Sequence, residues 1–254
     1  MKMRAHDEQG ERDAKPFLQH LEDLRTMLIR SFLALALGML IVAPAAPQFL
    51  RFLKKPLLIV TSNPDTFLRS IEVSGAFNLS LLIAFWGGLL LAAPFVVFFV
   101  GGFIFPGLTR REQNVVRSSS GIAVFLFLAG VFLGYRMMLP VALKVMFGMH
   151  DWMGIAAEWT VSSYIVFSIQ LMLAFGLALE LPLLVLLLGQ LGILTSSQLR
   201  DKRKIVIVII LVIAALLTPP DVFSQLLMGI PLILLYELCI WLIWLKERKK
   251  QEAV

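Results

Sequence analysis

Long apolar blocks separated by short polar segments run along most of the chain. An α-helix rises about 1.5 Å per residue, so about 20 apolar residues cross the roughly 30 Å of hydrocarbon in a bilayer. Blocks of this kind therefore predict transmembrane helices. We expect an all-α integral membrane protein with six transmembrane helices, at residues 27–46, 75–105, 116–139, 161–190, 205–218 and 226–245.

The composition agrees with a membrane protein. Hydrophobic residues make up 59% of the 254 positions and charged residues 16%, and a soluble core could not hide that much apolar surface. The net charge of +6 would also suit a nucleic-acid-binding protein, but the basic residues flank the apolar blocks in short tracts. No nucleic acid is expected as a partner. The residues before the first block lack the pattern of a signal peptide and are expected to stay in the mature protein.

Prolines interrupt or separate these blocks. Pro94 lies inside the second block and should kink that helix, because proline removes one backbone hydrogen bond. The sequence TPPD at residues 218–221 separates the last two blocks. Pro219 and Pro220 make it a strong helix breaker, so a hairpin is expected there, with Asp221 capping the next helix.

The block at residues 205–218 is short for a full crossing. Its 14 residues span about 21 Å as a helix. A re-entrant segment is the alternative, and it would place the tail KERKK on the side opposite the tract RDKRK. If the block does cross, the bilayer must thin locally or the helix ends must hold snorkelling side chains.

The distribution of basic residues favours six crossings. With the N-terminus in the cytoplasm, 17 of the 23 Lys and Arg fall on the cytoplasmic side, counting Arg30 at the start of the first block. This bias follows the positive-inside rule and places both chain ends in the cytoplasm. The expected organisation is a cytoplasmic segment at 1–25, a six-helix transmembrane domain at 26–245 and a cytoplasmic tail at 246–254.

Two acids lie inside predicted spans. A charge at membrane depth is costly, so Glu180 and Glu237 each need a partner or a proton. Glu180 is followed by Pro182, which frees a backbone carbonyl beside the carboxyl group. A functional role is favoured for Glu180, with a neutral carboxyl bonded to a neighbouring helix as the alternative. For Glu237, about halfway along the last span, both interpretations stay open. Gln225 opens the last span, where its amide should seek another helix.

Acids are scarce on the predicted cytoplasmic face. Glu22 and Asp23 precede the first span, and Glu112 lies in the basic turn after the second. Local pairing of Glu112 with Arg110 or Arg111 is the structural alternative to a binding role. Enzyme signatures are missing: the three histidines are far apart, and no metal, nucleophile or phosphate-loop motif occurs. We expect no enzymatic activity, no cofactor and no metal.

Short motifs that follow one another along the chain resemble the TatC family, the C-type subunit of the twin-arginine protein translocase. The resemblance extends from about residue 17 to residue 250, and LTPPDVFSQ is its most specific part. The motifs are FLQHLEDLR ending at Arg25, PL at Pro56, FIFPGLTRRE ending at Glu112, FGLALELP around Glu180, the basic loop SSQLRDKRK, and LTPPDVFSQ ending at Gln225.

The resemblance implies a core receptor in the bacterial cytoplasmic (inner) membrane. Such a receptor binds the twin-arginine signal peptides of folded precursor proteins and assembles with single-span A- and B-type subunits and with further copies of itself. Export is driven by the proton-motive force, without nucleotide hydrolysis. By motif match, Asp23 and Glu112 receive the two arginines, and Arg25 and Phe103 help to shape the site. The residues that face the partner helices are Glu180, Thr218 and Gln225.

One position departs from the family pattern. Family members usually have HLEELR, whereas this chain has HLEDLR, so Asp23 keeps the charge but is one methylene shorter. Glu112 is therefore the stronger candidate for direct contact with an arginine. Two other functions remain as alternatives: an ion-coupled small-molecule transporter, since broken helices and an intramembrane acid suit one, and a scaffold that only docks other helices.

Overall fold

The computed structural model describes residues 3–104, 110–190, 194–217 and 222–251. These residues are almost entirely helical, apart from the loops beside one small sheet. The helices are α1 (Met3–Val42), α2 (Ala46–Lys54), α3 (Pro64–Phe67), α4 (Gly75–Ile104), α5 (Arg110–Leu133), α6 (Leu139–Trp152), α7 (Val161–Gln190), α8 (Ser196–Asp201), α9 (Arg203–Leu217) and α10 (Val222–Gln251).

The prediction of an all-α membrane protein is confirmed. Within the described ranges, five helical stretches are long and apolar enough to cross a bilayer. The helix α9 has 15 residues, about 22 Å, and is shorter than these. The number of crossings and the side on which the ends lie stay predictions. The five stretches are Leu21–Val42, Gly75–Phe103, Gly121–Trp152, Val161–Val185 and Met228–Arg248.

The third span is longer than the sequence predicted. We expected it to end at residue 139, with the next span beginning at residue 161. Instead, α5 continues through a π-helical segment, Gly134–Met138, directly into α6. Pro140 does not end the helix, because it stands in the first turn of α6, where proline is tolerated. Pro94 likewise lies inside α4 without ending it.

The helix α7 forms the centre of the bundle. In its apolar stretch, 72% of the residues are buried inside the molecule, against 11–39% in the other four stretches. It packs against α4, α5 and α10. Its approach to α5 is close at Gly130, where an added Cβ would lie 2.3 Å from the backbone oxygen of Phe175. A small residue is needed there for the two backbones to pack.

A folded cap covers one end of the bundle. It consists of residues 46–69 and 159–160 and includes α2, a 3₁₀ segment at Lys55–Ile59 in which Pro56 is buried, and α3. Two short strands, β1 (Leu68–Arg69) and β2 (Trp159–Thr160), pair in parallel and join its two parts. The sequence predicted only a polar segment and a loop here.

Two tyrosines attach the cap to the helices below it. The hydroxyl of Tyr135 donates a hydrogen bond to the backbone oxygen of Phe52 at 2.9 Å, and the two rings stack with centroids 4.3 Å apart. The buried hydroxyl of Tyr164 donates to the backbone oxygen of Leu53. Tyr135 belongs to the π-helical segment and Tyr164 to α7, so the cap is fixed to two separate helices.

Candidate functional site

Asp23 and Phe103 lie at the same end of the bundle, opposite the cap. The antiparallel helices α1 and α4 cross closely where Gly38 meets Gly88, since a Cβ on Gly38 would lie 2.6 Å from the oxygen of Gly88. Asp23 and Phe103 each lie 15 residues from this crossing, about 22 Å along their helices. The packing of α1 on α4 therefore brings the two residues to one level.

Glu112 lies at the same end of the bundle. It is in the first turn of α5, which follows α4 after residues 105–109. The side chain of Glu112 and the segment 105–109 lie outside the described part of the chain, as does any pairing of Glu112 with its neighbouring arginines. Three of the predicted site positions thus share one end of the bundle. Phe103 is in the last turn of α4, Asp23 is near the start of the apolar stretch of α1, and Glu112 is in the first turn of α5.

Of the three charged side chains near the start of the apolar stretch of α1, two pair with each other and the third has no described partner. Arg25 donates to Glu22 at 3.1 Å, and both side chains are exposed. Such a pair at spacing i, i+3 contributes about 0.2–0.5 kcal/mol. Asp23 is also exposed, and no described cation pairs with it. The sequence named all three residues but not this pairing, although the i, i+3 spacing was visible. It leaves the carboxylate of Asp23 available.

The carboxyl group of Glu180 lies within the bundle. Glu180 is 8% exposed on α7, and no hydrogen bond or ion pair joins it to a described residue. Its neighbour Pro182 lies in the same helix, but the side chain of Pro182 is outside the described set. Glu180 is thus a buried acid whose polar needs are not met by the described part of its own chain.

The amide of Gln225 bonds within its own hairpin. Its Nε2 donates to the backbone oxygen of Leu211 at 3.0 Å, which joins the start of α10 to α9. The neighbouring helix that this amide was predicted to contact is therefore α9 of the same chain. Four further predicted positions, Thr218, Pro219, Pro220 and Asp221, lie outside the described residues, so the capping role of Asp221 stays a prediction.

Glu237 has a structural partner that the sequence did not indicate. Its carboxylate accepts a hydrogen bond from Arg203 at 2.8 Å, and both side chains are about two-fifths exposed. Arg203 belongs to the basic tract RDKRK and opens α9. Of the two interpretations left open for Glu237, this contact favours the structural one, a carboxyl group bonded to a neighbouring helix, since Glu237 lies level with the start of α9.

Two further contacts join the segment just before Arg203 to α10. The backbone nitrogen and the hydroxyl of Ser196 donate to Glu247, and the hydroxyl of Tyr236 donates to the backbone oxygen of Leu199 at 2.8 Å. The segment 196–203 therefore lies along α10 from Glu247 down to Glu237. We call these contacts, with the Arg203–Glu237 pair, the polar clasp.

No cluster suited to a metal ion occurs among the described residues. The single cysteine, Cys239, is buried in α10 with a free thiol. Long apolar helices around a buried centre, with exposed charges collected at the helix ends, define the chain as a multi-pass α-helical membrane protein.

Comparison with known proteins assigns the family. The model of the family TatC, "Sec-independent protein translocase protein", matches residues 19–231. The chain belongs to this family. It is accordingly a component of the twin-arginine protein translocase, not an enzyme, and a multi-pass protein of the bacterial cytoplasmic membrane.

Curated relatives with the same family name agree over most of the chain. The protein of Aquifex aeolicus is 35% identical over 238 residues, which cover 93% of this chain and 98% of the relative. The protein of Desulforapulum autotrophicum is 32% identical over 230 residues, covering 91% and 84%. A match to Akkermansia muciniphila is 38% identical over 184 residues, 72% of this chain but only 53% of that relative.

Solved structures have the same fold. A crystal structure described as "Twin Arginine Translocase Receptor- TatC" superposes with a TM-score of 0.79 and 34% identity, covering 89% of this chain and 98% of that one. A second structure, of the same receptor in the detergent DDM, gives a TM-score of 0.77 at 34% identity. The resemblance predicted from the sequence motifs is confirmed.

Proposed function

We propose that this chain is the receptor subunit of the translocase and binds the twin-arginine signal peptide at the end opposite the cap. The observation that carries the proposal is the exposed carboxylate of Asp23, which pairs with no described cation. It lies level with Phe103 and at the same end as the turn that carries Glu112. The solved relative is described as a receptor, which supports the same role.

Two carboxylates suit the recognition of two arginines. A guanidinium group binds a carboxylate through two parallel hydrogen bonds, which the ammonium of lysine cannot reproduce. Asp23 and Glu112 would supply one carboxylate each. Asp23 is shorter than the usual Glu, so in this proposal Glu112 makes the closer contact. Arg25 keeps Glu22 occupied, which leaves Asp23 as the acceptor on α1.

Ion pairs at an exposed site contribute too little to hold a peptide, about 0–1 kcal/mol each. The apolar part of the signal would supply most of the affinity, at about 0.8 kcal/mol per buried CH₂. Exposed aromatic side chains lie near this end, Phe95 and Phe98 on α4. These rings give an apolar surface next to the proposed arginine site, within about two to three turns of Phe103.

We further propose that the single-span A- and B-type subunits pack beside α7 and the α9–α10 hairpin. Glu180 supports this, because its buried carboxyl has no described partner within the chain and a polar group on another helix could meet it. Gln225 and Thr218 would lie along the same contact. Assembly with further copies and coupling to the proton-motive force complete the proposal as the family resemblance implies.

The test is photocrosslinking of a twin-arginine signal peptide, and of its twin-lysine variant, to membranes that carry this protein. Glu112→Ala should reduce the crosslink to the twin-arginine peptide about fivefold, the upper end of what one exposed ion pair contributes. The matched control is Glu72→Ala, an exposed acid near the cap. The control should crosslink like the unchanged protein.

The outcome decides between functions. A crosslink that needs both the arginines and Glu112 supports the receptor role. If neither the peptide change nor the Glu112 change alters it, the site assignment is wrong and the scaffold role returns. The small-molecule transporter has lost its support, because the chain belongs to a family of translocase proteins.

A further inference from the structure

A pocket of about 320 Å³ opens beside the cap, between α6 and α7. This volume is in the range of protein sites for small ligands, about 300–1,000 Å³. Its inner wall is apolar and its rim is polar. The inner residues are Leu143, Met146 and Phe167, and the rim residues are Glu158, Thr160 and Ser163.

The position of the pocket relative to the membrane follows from the helix ends. The apolar stretch of α6 ends at Trp152, and that of α7 begins at Val161, so the rim lies where both stretches end. Trp152 is 80% exposed, as suits an aromatic side chain at a membrane interface. Phe167 lies six residues further along α7, about 9 Å deeper. The pocket thus reaches from the head-group level into the hydrocarbon.

The rim carries the negative charge of Glu158, and the positive charge of Arg69 lies beside it, outside the lining. Arg69 donates to Glu158 at 3.1 Å across the small sheet, and the two side chains are 61% and 59% exposed. Both charges therefore remain accessible to a third group. Beside them, the hydroxyl of Thr160 donates to that of Ser163 at 2.8 Å. An occupant that complements this rim has a negative and a positive group together, above an apolar tail.

We propose that this pocket binds a zwitterionic phospholipid of the leaflet at the cap end. One acyl chain fills the space between Leu143, Met146 and Phe167. The phosphate meets the guanidinium of Arg69 and the ammonium meets the carboxylate of Glu158. Thr160 and Ser163 lie at the glycerol level. The site is at the opposite end from the proposed signal-peptide site and does not depend on that proposal.

The experiment uses the full chain in phosphatidylglycerol vesicles doped with phosphatidylethanolamine that carries a photoreactive diazirine in one acyl chain. Mass spectrometry maps the labelled residues, and labelling of Phe125, an exposed residue of α5, serves as the internal reference for general lipid contact. The expected result is strong labelling of Met146 or Phe167 relative to Phe125.

Two variants test the pocket independently. Ser163→Phe should block the rim and abolish the pocket label, whereas Ser80→Phe, the same change at an exposed serine of α4, should leave it unchanged. Arg69→Ala should lower the pocket label about fivefold through loss of the exposed phosphate contact, whereas Arg136→Ala should not. Pocket labelling no stronger than the reference, or labelling that survives both Ser163→Phe and Arg69→Ala, would overturn the proposal.

Discussion

The two ends of the helix bundle hold their charged side chains in different ways. At the cap end, Lys54 pairs with Asp65 at 2.7 Å and Arg69 with Glu158 at 3.1 Å, and both pairs join segments distant in sequence. At the other end, the polar clasp also pairs distant segments through Arg203 and Glu237, but the described pair on α1 is local, between Glu22 and Arg25, and Asp23 stays without a described cation.

This difference separates charges that serve the fold from a charge that is free to bind. Charges that pair across a fold stabilise the arrangement of the segments that carry them, even where, as in the Arg69–Glu158 pair, they stay accessible to a third group. A carboxylate left exposed and unpaired contributes nothing to the fold, and it can accept a guanidinium from outside. In our proposal Asp23 serves recognition because it lies level with Phe103 and near the turn that carries Glu112, which distinguishes it from Asp151, an exposed acid near the cap.

The largest expected effect is the reversal of charge at the recognition end. Asp23→Arg should weaken the crosslink to a twin-arginine signal peptide about 100-fold, because a charge-assisted contact is replaced by repulsion. Asp151→Arg, the same change at an exposed acid near the cap end, is the control and should have little effect. Equal loss in both variants would show that net charge, not position, controls binding.

A conservative change sharpens the same point. Asp23→Glu restores the side chain that is usual in the family and should bind the peptide at least as tightly as the unchanged protein. Weaker binding by Asp23→Glu than by the unchanged chain would mean that the site is shaped around the shorter side chain. The peptide assay is again the crosslink yield, measured at equal amounts of membrane protein.

The second-largest expected effect is a loss of unfolding free energy when the attachment of the cap is weakened. Tyr164→Phe removes a buried hydroxyl and leaves the backbone oxygen of Leu53 unsatisfied, which should cost about 1–3 kcal/mol of unfolding free energy. Tyr135→Phe removes a similar bond to Phe52 from a less buried position, and it should cost less. Denaturant unfolding in detergent measures both variants.

Peptide crosslinking provides the contrast between the ends. If the cap is structural, Tyr164→Phe lowers stability but leaves the signal-peptide crosslink at the opposite end unchanged at temperatures where the protein is folded. A loss of crosslinking without a loss of stability would contradict the division of roles between the two ends.

The sequence predicted the apolar spans well because hydrocarbon thickness imposes a minimum length on any crossing helix. It was wrong about the end of the third span for a specific reason. Pro140 is a helix breaker in most positions but is tolerated in a first turn, and the preceding π-helical segment allows α6 to start there. Hydropathy alone does not distinguish a proline that ends a helix from one that stands in a first turn.

The cap and the polar clasp could not be predicted from local pattern. Strands of two residues, such as Leu68–Arg69, are too short to show a period of two. The pairing of Arg203 with Glu237 depends on how far α10 extends past the start of α9. That offset is set by packing between the two helices, whereas the apolar pattern places Glu237 only about halfway along a span.

The candidate site came mainly from the family motifs rather than from the physical pattern. Asp23, Phe103 and Glu112 are far apart in sequence, and only the packing of α1 against α4 brings the first two to one level. The spacing of Gly38 and Gly88 was a usable signal. Small residues in two apolar blocks permit a close helix crossing.

The smallest expected effect is the pH dependence of the Lys54–Asp65 pair in the cap. The hydrogen bond from Lys54, and then its positive charge, hold the pKa of Asp65 below its usual value of 3.8. A carboxyl whose pKa is lowered by folding stabilises the folded state above its usual pKa. This contribution is lost as the pH falls from the usual pKa through the folded-state pKa. Asp65 is exposed, so salt should screen the interaction.

Asp65→Asn tests this pair. At neutral pH and low salt, its thermal midpoint should lie slightly below that of the unchanged protein, because the ionised partner of Lys54 is gone. The difference should shrink as the pH is lowered past 3.8, where the unchanged Asp65 also becomes neutral, and it should shrink in high salt at neutral pH. Asp151→Asn is the control, since no described cation pairs with Asp151. A difference that grows in acid would mean that Asp65 stabilises the cap through contacts other than its charge. The Lys54–Asp65 ion pair would then not be a structural contact of the cap.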